Sequence, residues 1–306
     1  MNRQIIVFLF TFLGTSAFAQ MDFQDSSAQV VTYWNLGDKY SYTVQVQTTT
    51  SMESDTLENR IIEYDLDLTV IDSTANSYIV DWHYKNFKTN SSDLIDQKIS
   101  SIADDLSIKI QIDNMGVIIG VTNWEEVRDF MTAAIDKLKA ENELPIDKDI
   151  LMQQKEALYS SKENIEADAI QDVNQYHNFN GGKYDLQEQV TGNALTPNLY
   201  FPDQPFDTDF SIVLESIDRE NNHYVIRSIQ RINSEQMTDS RYKYLEERMV
   251  KRGQKLIPRD EFQNLSNIVE TISRIHNSGW VLETVQWTEI ISDGITKMEV
   301  RKIRMK

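Results

Sequence analysis

The feature that most constrains the fold is a repeated alternation of apolar and polar side chains. Between Tyr40 and Val46, aromatic residues and valines alternate with Ser, Thr and Gln, and between Ile62 and Val70 apolar residues alternate with Glu, Asp and Thr. The same period of two recurs in Tyr78–Tyr84 and Leu106–Ile112. This period is typical of strands with one buried face. It predicts an antiparallel sheet whose other face is solvated or lines a groove.

The rest of the chain adds strands, turns and helices to this pattern. Polar loops are predicted at Ser51–Glu58 and around Asn90, and a hairpin is predicted across the turn Asp113–Gly116. Later strands are predicted near Lys183–Thr191, Phe210–Ile217, Tyr224–Ile232, Trp280–Ile291 and Ile295–Met305. Helical spacing predicts helices from Asn123 as N-cap to Leu138, from Asp147 to Val173, from Ser240 to Arg252, and over the apolar stripe Phe262, Leu265, Ile268, Ile272 and Ile275.

These elements predict an α+β fold. It consists of a large twisted antiparallel sheet of about nine or ten strands, with helices packed on one face. A sheet curved into a half-barrel is one form of this expectation. Residues 20–32 are predicted to be a flexible leader. Residues 33–306 are predicted to form a single domain, with two closely packed halves, 33–180 and 181–306, as the alternative.

The first nineteen residues have the pattern of a signal peptide. A short segment with Arg3 precedes the apolar run Ile5–Leu13. That run, about nine residues, is shorter than the roughly 20 that cross a bilayer. Ala17 and Ala19 then supply the small side chains of a cleavage site, so the mature chain is predicted to begin at Gln20. With no cysteine after the run for lipid attachment, the expectation is a soluble exported protein, periplasmic or secreted, without a transmembrane segment.

Charge and cysteine content remove several classes of function. The chain has 30 Lys and Arg against 48 Asp and Glu, a net charge of −18, and no cysteine. So acidic a surface repels phosphate backbones, which argues against nucleic acid as a partner. The absence of cysteine excludes disulfides, thiolate nucleophiles and Cys-ligated metal centres.

Candidate metal and catalytic residues give no recognisable site. The histidines, which are His83, His177, His223 and His276, are far apart and fit no zinc-binding spacing. The acids Asp203, Asp207, Asp209 and Glu215 lack the glycine of a calcium loop. Ser240 and Lys243 match Ser-x-x-Lys alone, so Ser240 is interpreted as a helix N-cap. Asp65 and Asp67 share a strand face about 7 Å apart and are interpreted as ordinary polar-face residues. No catalytic, cofactor or metal residue is predicted.

Three short motifs carry a resemblance to a known group of proteins. They are the turn Ile112–Val117, the segment Asn123–Glu126 and the segment Ser278–Trp280. Together with an export signal without a lipobox, they resemble uncharacterised exported proteins of Bacteroidota. The resemblance implies location and general fold, and it supplies no site residue.

Aromatic residues on the apolar strand phase suggest a binding groove. Trp82, Tyr84, Trp280 and Trp287 are the candidate lining residues, with simple core packing as the other interpretation. The leading hypothesis is a non-enzymatic envelope protein that binds a lipid or another amphipathic small molecule in a sheet–helix groove. One alternative is a component of an envelope assembly that binds a partner protein, using the basic segments 241–259 and 297–306 and the acidic helix predicted from Asp147 to Val173. Another is a hydrolase with a dispersed active site.

Overall fold

The computed structural model of the chain describes residues 21–22, 26–52, 55–141, 144–198, 200–201, 203–251, 253, 255, 257–292 and 294–306. The predicted signal peptide, with Ala17, Ala19 and Gln20, lies outside these residues. The strands are β1 (Met21–Asp22), β2 (Ser27–Gln29), β3 (Lys39–Met52), β4 (Asp55–Ser73), β5 (Ser77–Thr89), β6 (Ser107–Asp113), β7 (Ile118–Val121), β8 (Lys183–Asp185), β9 (Gln189–Thr196), β10 (Phe206–Asp218), β11 (His223–Ile232), β12 (Ser266–His276), β13 (Val281–Ser292) and β14 (Ile295–Met305).

The helices are fewer and mostly lie between β7 and β8. They are α1 (Leu94–Ser100), α2 (Trp124–Glu141), α3 (Ile146–Leu158), α4 (Lys162–Asn164), α5 (Gln171–Tyr176) and α6 (Ser234–Lys251). A π-helical turn, Ile165–Ala169, joins α4 to α5, and a 3₁₀ turn, Arg259–Glu261, precedes β12.

The main sheet contains eleven strands in the order β7-β6-β5-β4-β3-β14-β13-β12-β11-β10-β9, and each neighbouring pair is antiparallel. A small sheet, β1-β2-β8, stands beside it. The predicted antiparallel α+β class is therefore confirmed, and the main sheet is larger than expected. β14 pairs with β3 from Ile295 opposite Met52 to Met305 opposite Tyr42, so the sheet runs without a break from one half of the chain to the other.

The hydrophobic core lies between the inner face of β3–β6 and the helices α2, α3 and α5. Alternate residues of the strands are fully buried there, including Tyr42, Leu66 and Trp82, while α2 contributes Val127, Met131 and Ile135. The opposite face of the same strands carries Gln45, Glu63 and other polar side chains. Burial on one face only is what the alternating sequence predicts.

The segment predicted as a helix at 262–275 is the strand β12 instead. Thr271, Ser273 and Ile275 are buried, and the residues between them are not, which is a period of two. The apolar residues also fit helical spacing, but five of the eleven residues of β12 are β-branched, and such side chains favour strands. Pro258 comes before a single 3₁₀ turn, Arg259–Glu261, instead of the first turn of an α-helix.

The helix predicted from Ser240 begins earlier, at Ser234. The Oδ1 atom of Asn233 accepts a hydrogen bond from the backbone N–H of Gln236 at 3.0 Å, the contact that an N-cap makes. Ser240 lies inside the helix, where its hydroxyl oxygen accepts from Asn198 Nδ2 at 3.1 Å. The N-cap interpretation of Ser240 is therefore wrong.

Several predicted loops and segments have more structure than expected. The Ser51–Glu58 region is mostly strand, since β3 ends at Met52 and β4 begins at Asp55. The loop around Asn90 leads into α1, where the Asp93 carboxylate caps the N–H groups of Ile95 and Asp96. The single helix predicted for 147–173 is divided into α3, α4, the π-helical turn and the start of α5.

The predicted leader also differs from the structure. Ser27–Gln29 forms β2 and pairs with β8, and Ala28 and Val30 are fully buried. Trp34, a few residues later, stacks on Trp280 with ring centroids 4.1 Å apart. Small apolar residues let this segment enter the core despite its polar composition, so residues 26–32 are part of the packed fold.

Candidate functional site

A cavity of about 330 Å³ lies between the inner face of the sheet and the helices that cover it. Strands β3–β6 form one wall, and α1, α2 and α3 with the segments that follow α1 and α3 form the other. Most of the lining is apolar, including Val46, Ile62, Phe87, Ile99, Ile108 and Leu158. We call this space the inner cavity.

A β-bulge in β5 brings an extra aromatic ring into the inner cavity. Asn86 has a φ of 61°, in the left-handed region, and the register between β4 and β5 shifts beside it. The bulge breaks the alternation, so Tyr84 and Phe87 both line the cavity although they are three residues apart. Phe87 stacks on Tyr64 with ring centroids 4.5 Å apart. The aromatic wall therefore depends on the backbone conformation at Asn86.

One side of the inner cavity is polar and ordered. The Tyr64 hydroxyl donates to Asp172 Oδ2 at 2.6 Å, and Arg301 Nε lies 3.3 Å from Asp172 Oδ1. The Arg301 guanidinium also donates to Glu299 Oε1 at 2.9 Å and to the Gln171 side chain. These residues come from β4, α5 and β14, so this network joins three elements that are distant in sequence.

Burial and the Asp172 charge keep the phenols of the inner cavity protonated. Burial raises the pKa of Tyr64 and Tyr84 well above the ordinary value, and the nearby Asp172 carboxylate raises both further. The same two causes raise the pKa of Tyr159 to about 12. Burial lowers the pKa of Arg301, but Asp172, Tyr64, Glu299 and Tyr84 together outweigh burial, and the net pKa is raised. The site thus offers neutral hydroxyl donors beside a neutralised ion pair.

Two further cations border the inner cavity. Arg60, on β4, donates from Nη2 to Ser100 Oγ at 2.9 Å. Lys155 reaches the cavity from α3, and burial followed by the neighbouring Arg60 charge lowers its pKa.

The four aromatic residues predicted to line a groove do not share one wall. Tyr84 lines the inner cavity. Trp82 is fully buried in the core, packed edge-on against Tyr176 with ring centroids 5.3 Å apart. Trp280 stacks on Trp34. Trp287 is half-buried on the outer face of β13, beside Met298 and Ile272.

A second, polar groove of about 410 Å³ adjoins the inner cavity and shares Gln171 with it. Its lining is rich in carboxamides: Gln171, Asn174, Gln175, Asn178, Gln230 and Gln286. The Nε2 atom of Gln175 donates to Thr284 Oγ1 at 3.3 Å and to the Arg301 carbonyl at 3.2 Å. We call this space the amide groove.

The acids considered for catalysis form ordinary ion pairs on the outer face. Asp67 accepts from Lys85 at 2.5 Å and from Ser41 at 2.6 Å. Burial raises its pKa, but these bonds and Lys39 outweigh burial and lower the pKa to about 2. Asp65 pairs with Lys306 at 2.6 Å. Both carboxylates are therefore ionised and bound to cations, which does not suit a general acid.

The histidines and the Asp203–Asp209 segment do not come together. His177 is buried between Trp34, Trp82 and Tyr176, whereas His83 pairs with Asp105 at 2.8 Å near the surface. Within the described part of the chain, no three His, Asp or Glu side chains are grouped closely enough to hold a metal ion.

Several cations of the two basic segments form ion pairs with acidic side chains. Lys302 and Arg304 both contact Glu283, at 3.1 and 2.7 Å, and Arg259 contacts Asp239 at 2.7 Å. Strand alternation also places Arg301 on the inner face and Arg304 on the outer face, so segment 297–306 does not present one basic surface.

Sequence reasoning missed Arg60, Lys155, Asp172 and Arg301 as site residues. A signal existed for Arg60, because it is in phase with Ile62 and Tyr64 on the buried side of β4. No local signal pairs Asp172 with Arg301, since only the completed sheet brings α5 beside β14.

The comparisons with known proteins identify no relative. No family model and no curated protein matches the chain. Among solved structures, an outer membrane channel from Pseudomonas putida F1 aligns over 94% of this chain and 100% of its own, at 6% identity and a TM-score of 0.16. A score that low supports no statement about the fold or function of this chain. Of the helices in the described residues, none is both long and apolar enough to span a bilayer.

Proposed function

We propose that this protein is an exported, non-enzymatic binding protein that holds a small amphipathic molecule in the inner cavity. The observation that carries the proposal is the space of about 330 Å³ between the sheet and the helices, whose lining is mostly apolar. Protein interiors rarely leave such space empty, and ligand sites of about 300–1,000 Å³ are typically apolar with a few fixed polar groups. The polar groups of the lining are those of Arg60, Lys155, Tyr64, Asp172 and Arg301.

The chemistry of the lining favours binding over hydrolysis. The described lining residues include no histidine, and the one carboxylate among them, Asp172, is paired with Arg301. Ser100 is the hydroxyl nearest to a cation, but its Oγ accepts from Arg60 and donates to the Asp96 carbonyl at 2.7 Å. Activating a serine requires a neighbouring base, and these contacts supply none.

Export is the second part of the proposal. It is supported by the apolar run Ile5–Leu13 with Ala17 and Ala19, and by the resemblance to exported proteins of Bacteroidota. Expressed in a bacterium with its full sequence, the protein should appear outside the cytoplasm with a mass that matches a chain starting at Gln20. A protein that keeps Met1 and stays in the cytoplasm would contradict the export part alone.

The binding part is tested with a matched pair of variants. Ala103→Phe fills the inner cavity, whereas Ala133→Phe makes the same change at an exposed position of α2. A fluorescent alkyl probe should bind the parent protein and Ala133→Phe at micromolar concentration and bind Ala103→Phe at least tenfold more weakly. Equal melting temperatures would show that both variants fold.

Two outcomes would count against a ligand cavity. If the parent protein binds no alkyl probe and organic extracts of it contain no lipid, the inner cavity is a packing defect. The protein-interaction hypothesis would then lead, with the exposed edge strand β9 as the first surface to test. If Ala103→Phe binds as well as Ala133→Phe, the probe occupies another site.

A further inference from the structure

We infer that the ligand of the inner cavity is a single alkyl chain with an anionic head group, carboxylate or phosphate, held by Arg60 and Lys155. This inference rests on the proposed function and adds the chemical class of the ligand. Three features of the molecule support it: the position of the two cations, the absence of acidic partners for them, and the shape of the cavity.

The two cations face the same cavity without acidic partners. Arg60 projects from the inner face of β4 and Lys155 from α3, so they approach from the sheet and the helix layer respectively. Among the residues that the structure describes, neither forms an ion pair. In a protein with a net charge of −18, a pair of cations that no acid neutralises is unusual.

The nearest acids are engaged elsewhere. Asp96 feels the charge of Arg60 but is bound by Lys148 and by Ser91 at 3.0 Å. Asp172 and Glu299 are both bound by Arg301. Each of these three carboxylates is therefore already paired with another cation.

Arg60 also has an unused donor. Its Nη2 atom bonds to Ser100, but its Nε atom is buried and has no hydrogen-bond partner. A buried donor without a partner is costly, and a guanidinium offers a fork of N–H groups that matches a carboxylate or a phosphate. Arg60 and Lys155 both line the cavity, so an anion between them would accept from these cations and relieve their mutual repulsion, which adds to the effect of burial in lowering the Lys155 pKa.

The cavity extends from these cations into apolar surroundings. Arg60, Ile62 and Tyr64 follow one another on the inner face of β4, so Arg60 and Tyr64 are about 13 Å apart along the strand. Ile62 and Val46, which face each other across β4 and β3, lie between them. An extended chain advances about 1.2 Å per bond, so this length suits an alkyl chain of about ten carbons. The small volume excludes a lipid with two long chains.

The experiment compares ligands that differ only in the head group. Decanoate, decyl phosphate and decanol are titrated into the parent protein and into Lys155→Met, Lys155→Arg and the control Lys137→Met, which makes the same charge change at an exposed position of α2. Binding is followed by calorimetry, and folding is followed by the melting temperature of each variant. The parent protein should bind at least one of the two anions about tenfold more tightly than decanol.

The variants then show which residues cause the tighter binding of the anion. Lys155→Met should lose about tenfold in affinity for the preferred anion and nothing for decanol, while Lys155→Arg and Lys137→Met should bind like the parent protein. Whichever of decanoate and decyl phosphate binds more tightly identifies the head group. If the anions and decanol bind equally, or if Lys155→Met weakens all three ligands alike, the head-group inference is wrong and the proposed function stands. If no ligand binds, the proposed function itself fails.

Discussion

The guanidinium Nε of Arg301 lies 3.3 Å from Oδ1 of Asp172, and both side chains are more than nine-tenths buried. The pair joins β14 to α5 at the edge of the inner cavity. Buried ions are costly unless they are paired, so the two residues depend on each other more strongly than surface ion pairs do. The stability of the fold should therefore depend on both Asp172 and Arg301.

Asp172→Asn should lower the free energy of unfolding by about 1–3 kcal/mol. The amide keeps the shape and can still accept from Tyr64, but it leaves the buried Arg301 charge with Glu299 as its remaining carboxylate partner. Urea unfolding measures the change. Asp105→Asn, at an ion pair whose carboxylate is 86% exposed, is the control and should change stability by less than about 0.5 kcal/mol. If Arg301→Met added to Asp172→Asn restores no stability, the pairing argument fails.

Trp82→Ala should lower the free energy of unfolding by about 3–5 kcal/mol and leave the affinity for alkyl ligands unchanged. Trp82 is fully buried and does not line the inner cavity. Trp287→Ala, on the half-buried outer face, should cost about 1 kcal/mol. Equal losses in the two variants would contradict the difference in packing between the two faces.

His177 should make the protein less stable as the pH falls from 7.5 to 5.0. Burial lowers the folded-state pKa of His177 to about 4, below the ordinary value of about 6.5. The unfolded chain therefore binds the proton first, and about 2 kcal/mol of stability is lost over this range. The stabilisation from Asp67, whose folded-state pKa is about 2, is lost only below about pH 5, which is the lower end of this range.

The pH effect is measured by denaturant unfolding at both pH values. His177→Phe removes the titrating group while it keeps a ring between Trp82 and Tyr176. It should flatten the pH dependence over this range. An unchanged slope in His177→Phe would show that another group is responsible.

Asn86→Val should disturb the bulge that holds Phe87 in the cavity wall. A β-branched residue in the left-handed region costs about 1–2 kcal/mol. Asn86→Gly is the matched control, because it also removes the 2.9 Å hydrogen bond to Asp65 but tolerates a φ of 61°. Asn86→Val should be less stable than Asn86→Gly and bind alkyl ligands more weakly. Equal stability and affinity in the two variants would contradict a conformational role for Asn86.

The sequence predicts the sheet well where one face of a strand is buried and the other is solvated. β3 to β6 largely follow this rule, because their apolar residues alternate with polar ones outside the bulge at Asn86. β12 does not, since Thr271 and Ser273 are buried polar residues that bond to Gln286 and Thr284 across the sheet. Hydrophobic periodicity does not show that such polar residues are buried. The isoleucines of β12, taken alone, therefore suggested a helix.

The candidate site was predictable only in part. Aromatic residues on the inner strand phase pointed to a sheet–helix space, and Tyr84 lies there. The Asn86 bulge moved Phe87 into the wall against the alternation, and tertiary packing placed Trp82 and Trp280 in the core. Asp172 and Arg301 meet only through long-range folding, which local patterns do not encode.

The position of β14 has a consequence for how the chain is assembled. β14 follows every other described strand along the chain, yet it lies in the middle of the sheet, where it pairs with β3 on one side and β13 on the other. Until it is in place, β3 has one long edge without hydrogen bonds, and such edges favour aggregation. Contacts between residues that are far apart in sequence, such as those of β3 with β14, also form slowly. The first half cannot complete its sheet until β14 has been made, so a chain truncated before β14 should fail to fold stably, even with every residue of the inner wall of β4 and β5 present.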